Sequence, residues 1–183
     1  MTSGPHETLA PSAWVARWAA LLADGASVLD VACGHGRHAR FFAARGHDVL
    51  AVDRDETALT SMASARGITT LRADLENAPW PLERRSFDAV VVTNYLWRPL
   101  LPALIASLAP AGLLIYETFM RGNERYGRPS NPEFLLKSGE LLEAVGGRLE
   151  VLGFEQGTVE SPKPAVVQRI CAVRGEAAIL PLP

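Results

Sequence analysis

Along the chain, short runs of β-branched and other apolar residues alternate with longer segments whose apolar positions recur at helical spacing. The runs at 27–31, 48–52, 69–72, 87–92, 112–117, 148–154 and 166–173 predict seven strands. Segments 37–45, 56–65, 99–109 and 135–145 predict helices between them, and 14–22 predicts one before the first strand. Strand and helix in alternation predict an α/β fold, a parallel sheet wound with helices on both faces. Ala89, Val90, Val91 and Val92 form a continuous apolar run, as expected of a strand covered on each side. Only the Pro- and Gly-bearing stretch 157–164 separates the last two strands, too little for a helical crossover. They are therefore expected to form an antiparallel hairpin at one edge of a mostly parallel, seven-stranded sheet. The sixth strand then runs with the first five, so the hairpin loop opens at the carboxyl edge of the sheet. These elements use up the chain, which reads as one domain over 1–183 with a helical extension at 1–24.

Composition narrows the setting. Hydrophobic residues make up 48% and charged residues 21%, enough for a packed core. A formal charge of −2 argues against a nucleic-acid partner, which calls for a clustered basic surface. Cys33 and Cys171 have no metal-type spacing and read as two reduced thiols, and no metal site is expected. Residues 1–10 carry Glu7 and no basic start followed by an apolar run, so no leader is expected. No stretch approaches the ~20 apolar residues that span a bilayer. The expectation is a soluble, cytoplasmic protein with no membrane partner.

The first strand runs through Asp30 and Val31 into Ala32, Cys33, Gly34, His35, Gly36, Arg37, His38 and Ala39. Gly34, Gly36 and Ala39 fall at G-x-G-x-x-A, after a strand and opening a helix. The glycines allow a sharp turn and let a ligand lie against bare main chain. Dinucleotide-binding domains share this pattern, so the turn alone points to a nucleoside ligand of either kind. Asp30, at the carboxyl end of the strand, is expected to face that ligand; its other reading is a cap on the turn. A carboxylate there repels a pyrophosphate and suits a ligand that brings positive charge. Asp53 ends the second strand about 20 residues past the glycines, where an acid can accept from ribose hydroxyls. Arg54 either stacks beside the nucleoside or is solvated. Asp74 follows the third strand, completing three acids at successive strand ends.

With these residues in order, the chain resembles the class I S-adenosylmethionine-dependent methyltransferases. Their first motif reads here Asp30-Val-Ala-Cys-Gly-His-Gly36, with Ala32 at a position usually held by glycine. The resemblance implies a Rossmann-like fold, S-adenosylmethionine as cofactor, and a cofactor set of Asp30, Ala32, Cys33, Gly34, Gly36, Asp53, Arg54, Asp74, Leu75 and Asn94. It implies that Asp74 takes the adenine amino group and that Leu75 supplies a backbone amide. It also implies that the methyl group emerges at the end of the fourth strand, Thr93-Asn94-Tyr95-Leu96-Trp97. Asn94 and Tyr95 are candidates to bond the acceptor. Trp97 either walls the pocket or belongs to the core. The segment beginning Lys137-Ser-Gly-Glu-Leu-Leu is loosely similar to the tellurite-resistance-type branch.

After the fifth strand the chain is long, polar and glycine-bearing, as functional loops often are. It carries Arg121, Arg125 and Arg128 against Glu124 and also contains Tyr126. Arg121, Tyr126 and Arg128 are candidate contacts to a small, anionic acceptor; solvated surface positions are the alternative for each arginine. Asn94, Tyr95 and Glu117 are the candidate catalytic residues. Tyr95, Glu117 or a histidine would serve if a general base is needed. His35 and His38 beside the turn read as structural or acceptor contacts. Two rivals accompany this reading: a nicotinamide-dependent oxidoreductase, and a catalytically silent module that binds S-adenosylmethionine.

Overall fold

The computed structural model describes residues 10–175 and 183. Most of the N-terminal stretch on which the absence of a leader was expected, 1–9, lies outside the described residues. Seven strands form one sheet: β1 (Ser27–Val31), β2 (Asp48–Asp53), β3 (Ile68–Arg72), β4 (Phe87–Thr93), β5 (Leu108–Phe119), β6 (Glu150–Val159) and β7 (Ala165–Val173). The order is β3-β2-β1-β4-β5-β7-β6. β1 to β5 pair parallel, whereas β7 runs antiparallel to both β5 and β6. The expected doubly wound fold and C-terminal hairpin are both present. The hairpin folds back so that its second strand lies inside the sheet and β6 forms the edge.

Strand parity builds two cores. Val28, Ala89, Val91, Leu113, Ile115, Cys171 and Val173 face one side. They pack under Trp14 and Trp18 of α1 (Ala13–Ala19), Phe42 of α2 (Arg37–Ala43) and Leu59 of α3 (Glu56–Thr60). Leu29, Val31, Val90, Val92, Leu114, Tyr116, Ile170 and Ala172 face the other side. Those pack under Leu104 of α4 (Leu101–Ala106) and Leu141 and Val145 of α5 (Glu140–Val145). At roughly 25 cal/mol per Å² of apolar area, these two layers are the main favourable contribution to the fold. On the first face, Gly153 of β6 lies where any Cβ would collide with the Trp18 ring, so α1 can seat against the far strand.

Every helix is shorter than its sequence pattern. In α3 the Thr60 hydroxyl donates to the Glu56 carbonyl at 2.8 Å and the Ser61 hydroxyl to the Ala58 carbonyl at 2.6 Å, and the helix stops there. The helix expected over 135–145 starts only at Glu140: a 3-10 turn at Pro132–Phe134 leads into an extended Leu135 and a bridge at Leu136 instead. The reason is tertiary: Leu136 bridges to Met120, and its amide donates to the Phe119 carbonyl at 3.0 Å. Apolar side chains that read as a helical stripe are satisfied equally well by this extended pairing.

Candidate functional site

The ends of β1 to β4 converge on a cleft of about 190 Å³. It is lined by Ala32 after β1, Asp53 and Arg54 at β2, Ala73, Asp74, Leu75 and Glu76 after β3, and Tyr95 after β4. Five residues from three separate cofactor-site expectations, Ala32, Asp53, Arg54, Asp74 and Leu75, meet here, joined by Tyr95. Ala73 and Glu76 were not foreseen; only their adjacence to Asp74 signalled them.

Asp53 ties the cleft together. Its Oδ2 accepts from the Gly34 amide at 2.8 Å and its Oδ1 from the Asp55 amide at 2.9 Å. Gly34 has φ 52° and open space where a Cβ would stand, so its main chain is bare on that side. Asp74 is held by its own turn: Oδ1 accepts from the Glu76 and Asn77 amides at 3.0 and 3.1 Å, and Oδ2 from the Asn77 side-chain amide at 3.0 Å. The Asn77 side chain first, then the two backbone amides, hold its carboxyl below the usual range. An ionised Asp74 keeps free lone pairs on Oδ2 for a ligand's amino group.

Asp30 does not open onto the cleft. It shares the parity of Val28, so its side chain points to the helical face, where it is buried and Oδ2 accepts from the Ala39 amide at 2.9 Å. It thus braces the turn against α2, while Oδ1 is buried with no partner. Burial pushes its carboxyl up to about 7, against the lowering effect of the Ala39 bond and of Arg37. Cys33 is likewise buried, its amide on the Val52 carbonyl at 3.0 Å. Ala32 departs from glycine by more than a methyl group: its φ is 52°, a left-handed conformation that disfavours any Cβ.

The other candidates lie elsewhere. Glu117 is engaged on both oxygens, with the Ser12 hydroxyl on Oε1 at 2.7 Å and Arg169 Nη1 on Oε2 at 3.1 Å. The Ser12 amide donates to His38 Nε2 at 3.1 Å, so the ring proton is on Nδ1, which faces Thr93 Oγ1 at 3.3 Å. Burial, reinforced by Arg37, brings His38 down to about 3 and keeps it neutral. Glu117 and His38 therefore clasp the start of α1 over the carboxyl edge of β1, β4 and β5. Asn94 is exposed and outside the lining, and Trp97 packs partly buried against the second core. Arg121, Tyr126 and Arg128 are exposed and do not line the cleft.

The loop after β5 is nonetheless anchored, by residues that sequence reading missed. Asn123 is buried, its Oδ1 accepting from the Val166 amide at 3.1 Å and its Nδ2 donating to the Pro129 carbonyl at 3.1 Å. Arg98 grips Glu140 through Nε at 2.6 Å and Nη2 at 3.0 Å, and also donates to the carbonyls of Glu133 and Leu135. Buried Gln168 accepts from the Leu141 amide at 2.7 Å and donates to the Lys137 carbonyl at 3.0 Å. Among the described residues no group of three or more His, Cys, Asp or Glu is placed to hold a metal ion. No helix among them is long and apolar enough to cross a membrane.

Residues 28–112 match the methyltransferase domain family. No protein of curated function matches the sequence. The fold is similar to TehB from Haemophilus influenzae, with TM-score 0.73 at 20% identity over 88% of this chain and 61% of that one. The chain thus spans under two thirds of that protein's length. It is similar to a TehB-like S-adenosylmethionine-dependent methyltransferase from Corynebacterium glutamicum, with TM-score 0.64, 21% identity, and 88% and 87% of the two chains covered. It is also similar to a coclaurine N-methyltransferase bound to N-methylheliamine and S-adenosylhomocysteine, with TM-score 0.68, 12% identity, and 87% and 71% covered.

Proposed function

We propose that the chain is an S-adenosylmethionine-dependent methyltransferase that methylates a small-molecule acceptor by direct displacement, a reading supported by the methyltransferase domain matched over residues 28–112 and by the fold it shares with such enzymes. One observation carries the assignment of the cleft to the donor: Asp53, Asp74 and the bare Gly34 backbone meet at the carboxyl ends of adjacent parallel strands, where open α/β sheets bind ligands. Two features of the free protein fit the donor. Gly34 has open space where a side chain would stand. The cleft is bordered by the carboxylates of Asp53, Asp74 and Glu76 against the single cation Arg54.

Bound S-adenosylmethionine supplies a methyl group on a positively charged sulfur, which an acceptor lone pair takes directly. The chain's own contribution is then placement and exclusion of water. Asp53 holds the ribose while pinning the turn, and Asp74 and Leu75 receive the adenine. Asp30 favours positive charge beside the turn from within the core. Neither His38 nor Glu117 offers an unengaged basic atom, and burial keeps the Tyr95 phenol protonated. This supports a reaction driven by alignment more than by proton abstraction.

The coclaurine enzyme is named for a small acceptor, and its likeness in fold supports a small acceptor here. An anionic acceptor draws support from Arg121, Arg125 and Arg128, exposed on the loop that leaves the same sheet edge. Two buried free thiols, Cys33 and Cys171, suit a reducing, cytoplasmic setting.

Calorimetry with S-adenosylmethionine, S-adenosylhomocysteine and NAD tests the donor, and binding of NAD alone would overturn the reading. Transfer of a labelled methyl group to a panel of small acceptors tests catalysis. Donor binding with no transfer across a broad panel would favour a silent binding module instead.

A further inference from the structure

Tyr95 leaves β4 just past Asn94, whose φ of 55° is a left-handed turn in a non-glycine residue. The turn is secured on both sides. The Asn94 amide donates to the Glu117 carbonyl at 3.0 Å, and the buried Tyr116 hydroxyl donates to the Tyr95 carbonyl at 2.9 Å. Two strands thus hold a strained backbone in place, which is how such conformations persist at functional sites. Its consequence is directional: Tyr95 is turned back toward the ends of β1, β2 and β3 and lines the cleft with Asp53, Arg54, Asp74, Leu75 and Glu76.

The phenol oxygen is buried there and has no hydrogen-bond partner. A hydroxyl left so costs free energy that an apolar group of the same size would avoid, unless a ligand completes it. Burial, and then the carboxylates of Glu76 and Asp74, keep the phenol protonated, so it has a hydrogen to donate. Among the cleft's side chains, Asp53, Asp74 and Glu76 supply acceptors and Arg54 is the charged donor. An adenosine presents ring nitrogens and sugar oxygens that accept, and these need donors.

We propose that Tyr95 is a donor-side positioning residue, its hydroxyl donating a hydrogen bond to the adenosine half of bound S-adenosylmethionine rather than serving the acceptor. This rests on the reading of the cleft as the donor site. The preceding left-handed Asn94 and the Tyr116 hydroxyl exist, on this account, to aim it.

Calorimetric binding of S-adenosylhomocysteine, with no acceptor present, separates the donor side from the acceptor side. Tyr95→Phe should weaken it about three- to tenfold, the loss of one hydrogen bond between neutral groups. The melting temperature of the ligand-free variant should equal or exceed that of the unmodified protein, because the hydroxyl has no partner to lose. Equal affinity for both proteins overturns the proposal while leaving the donor site standing. So does a fall in the ligand-free melting temperature, which marks a structural role. Failure of the unmodified protein to bind S-adenosylhomocysteine is a different result: it removes the donor-site reading itself, and Tyr95's role with it.

Discussion

The Gly34 amide donates to Asp53 Oδ2 at 2.8 Å, so the acid at the end of the second strand holds the glycine turn that follows the first. On the proposed reading of the cleft, Asp53 joins two tasks, shaping the turn and meeting the ribose. Asp53→Asn keeps one carbonyl oxygen for the turn but loses the charge and the second acceptor. We expect donor affinity to fall about ten- to a hundredfold, since bonds to charged acceptors are worth ~1.5–3 kcal/mol each. Calorimetry with S-adenosylhomocysteine measures this. Asp53→Ala should add a lower melting temperature, because the Gly34 and Asp55 amides both lose their partner.

Ala32 has a left-handed backbone at the rim of the cleft. Ala32→Gly relieves strain of about 1–2 kcal/mol, offset in part by the greater freedom of glycine in the unfolded chain. A net gain of about 0.5–1 kcal/mol is expected, read as a rise of a few degrees in thermal unfolding. A fall would show that the Ala32 methyl packs usefully enough to outweigh its backbone conformation.

Asp30 and His38 make stability depend on pH in opposite senses. Folded Asp30 keeps its proton up to about 7, whereas in the unfolded chain it releases it near 3.8. Between those values the native state binds more protons, so this group's contribution falls as pH rises. His38 is neutral down to about 3 when folded but protonates near 6.5 when unfolded, so its contribution rises with pH across that window. Asp30→Asn leaves the His38 slope alone: relative to the unmodified protein it should gain stability steadily from about pH 4 to 7 and then level off, by roughly a few kcal/mol in all. Urea unfolding at several pH values checks the sign. Donor binding should also tighten as pH approaches 7 in the unmodified protein, because positive charge at the turn favours ionised Asp30. Asp30→Asn should flatten that dependence.

Arg98 fastens the segment 133–140 through a forked pair with Glu140 and two backbone carbonyls. Lysine carries the charge without the fork. Arg98→Lys is expected to cost about 1–2 kcal/mol, with the pair's partial exposure limiting the loss. Hydrogen exchange should accelerate in 133–141 and not in β1 or β2. Uniform acceleration would mean that the segment is not held locally.

Much of this protein is legible in one dimension. Strand runs, glycine turn and the acids Asp30, Asp53 and Asp74 fall in an order that yields the doubly wound sheet, because parity and parallel pairing leave few topologies for such a pattern. The convergence of Asp53 and Asp74 on one cleft follows from that topology, since adjacent parallel strands end together. What the sequence left open was decided by contacts between distant residues. Only the register of β1 shows that Asp30 turns inward to Ala39, and only the clasp of Ser12 and Arg169 shows that Glu117 is already engaged. The left-handed turn at Asn94, which brings Tyr95 to the lining of the cleft, is held by Glu117 and Tyr116 on the neighbouring strand. Backbone strain of this kind has no composition or spacing to announce it, because the residues that enforce it lie some twenty positions away and meet it only across the sheet.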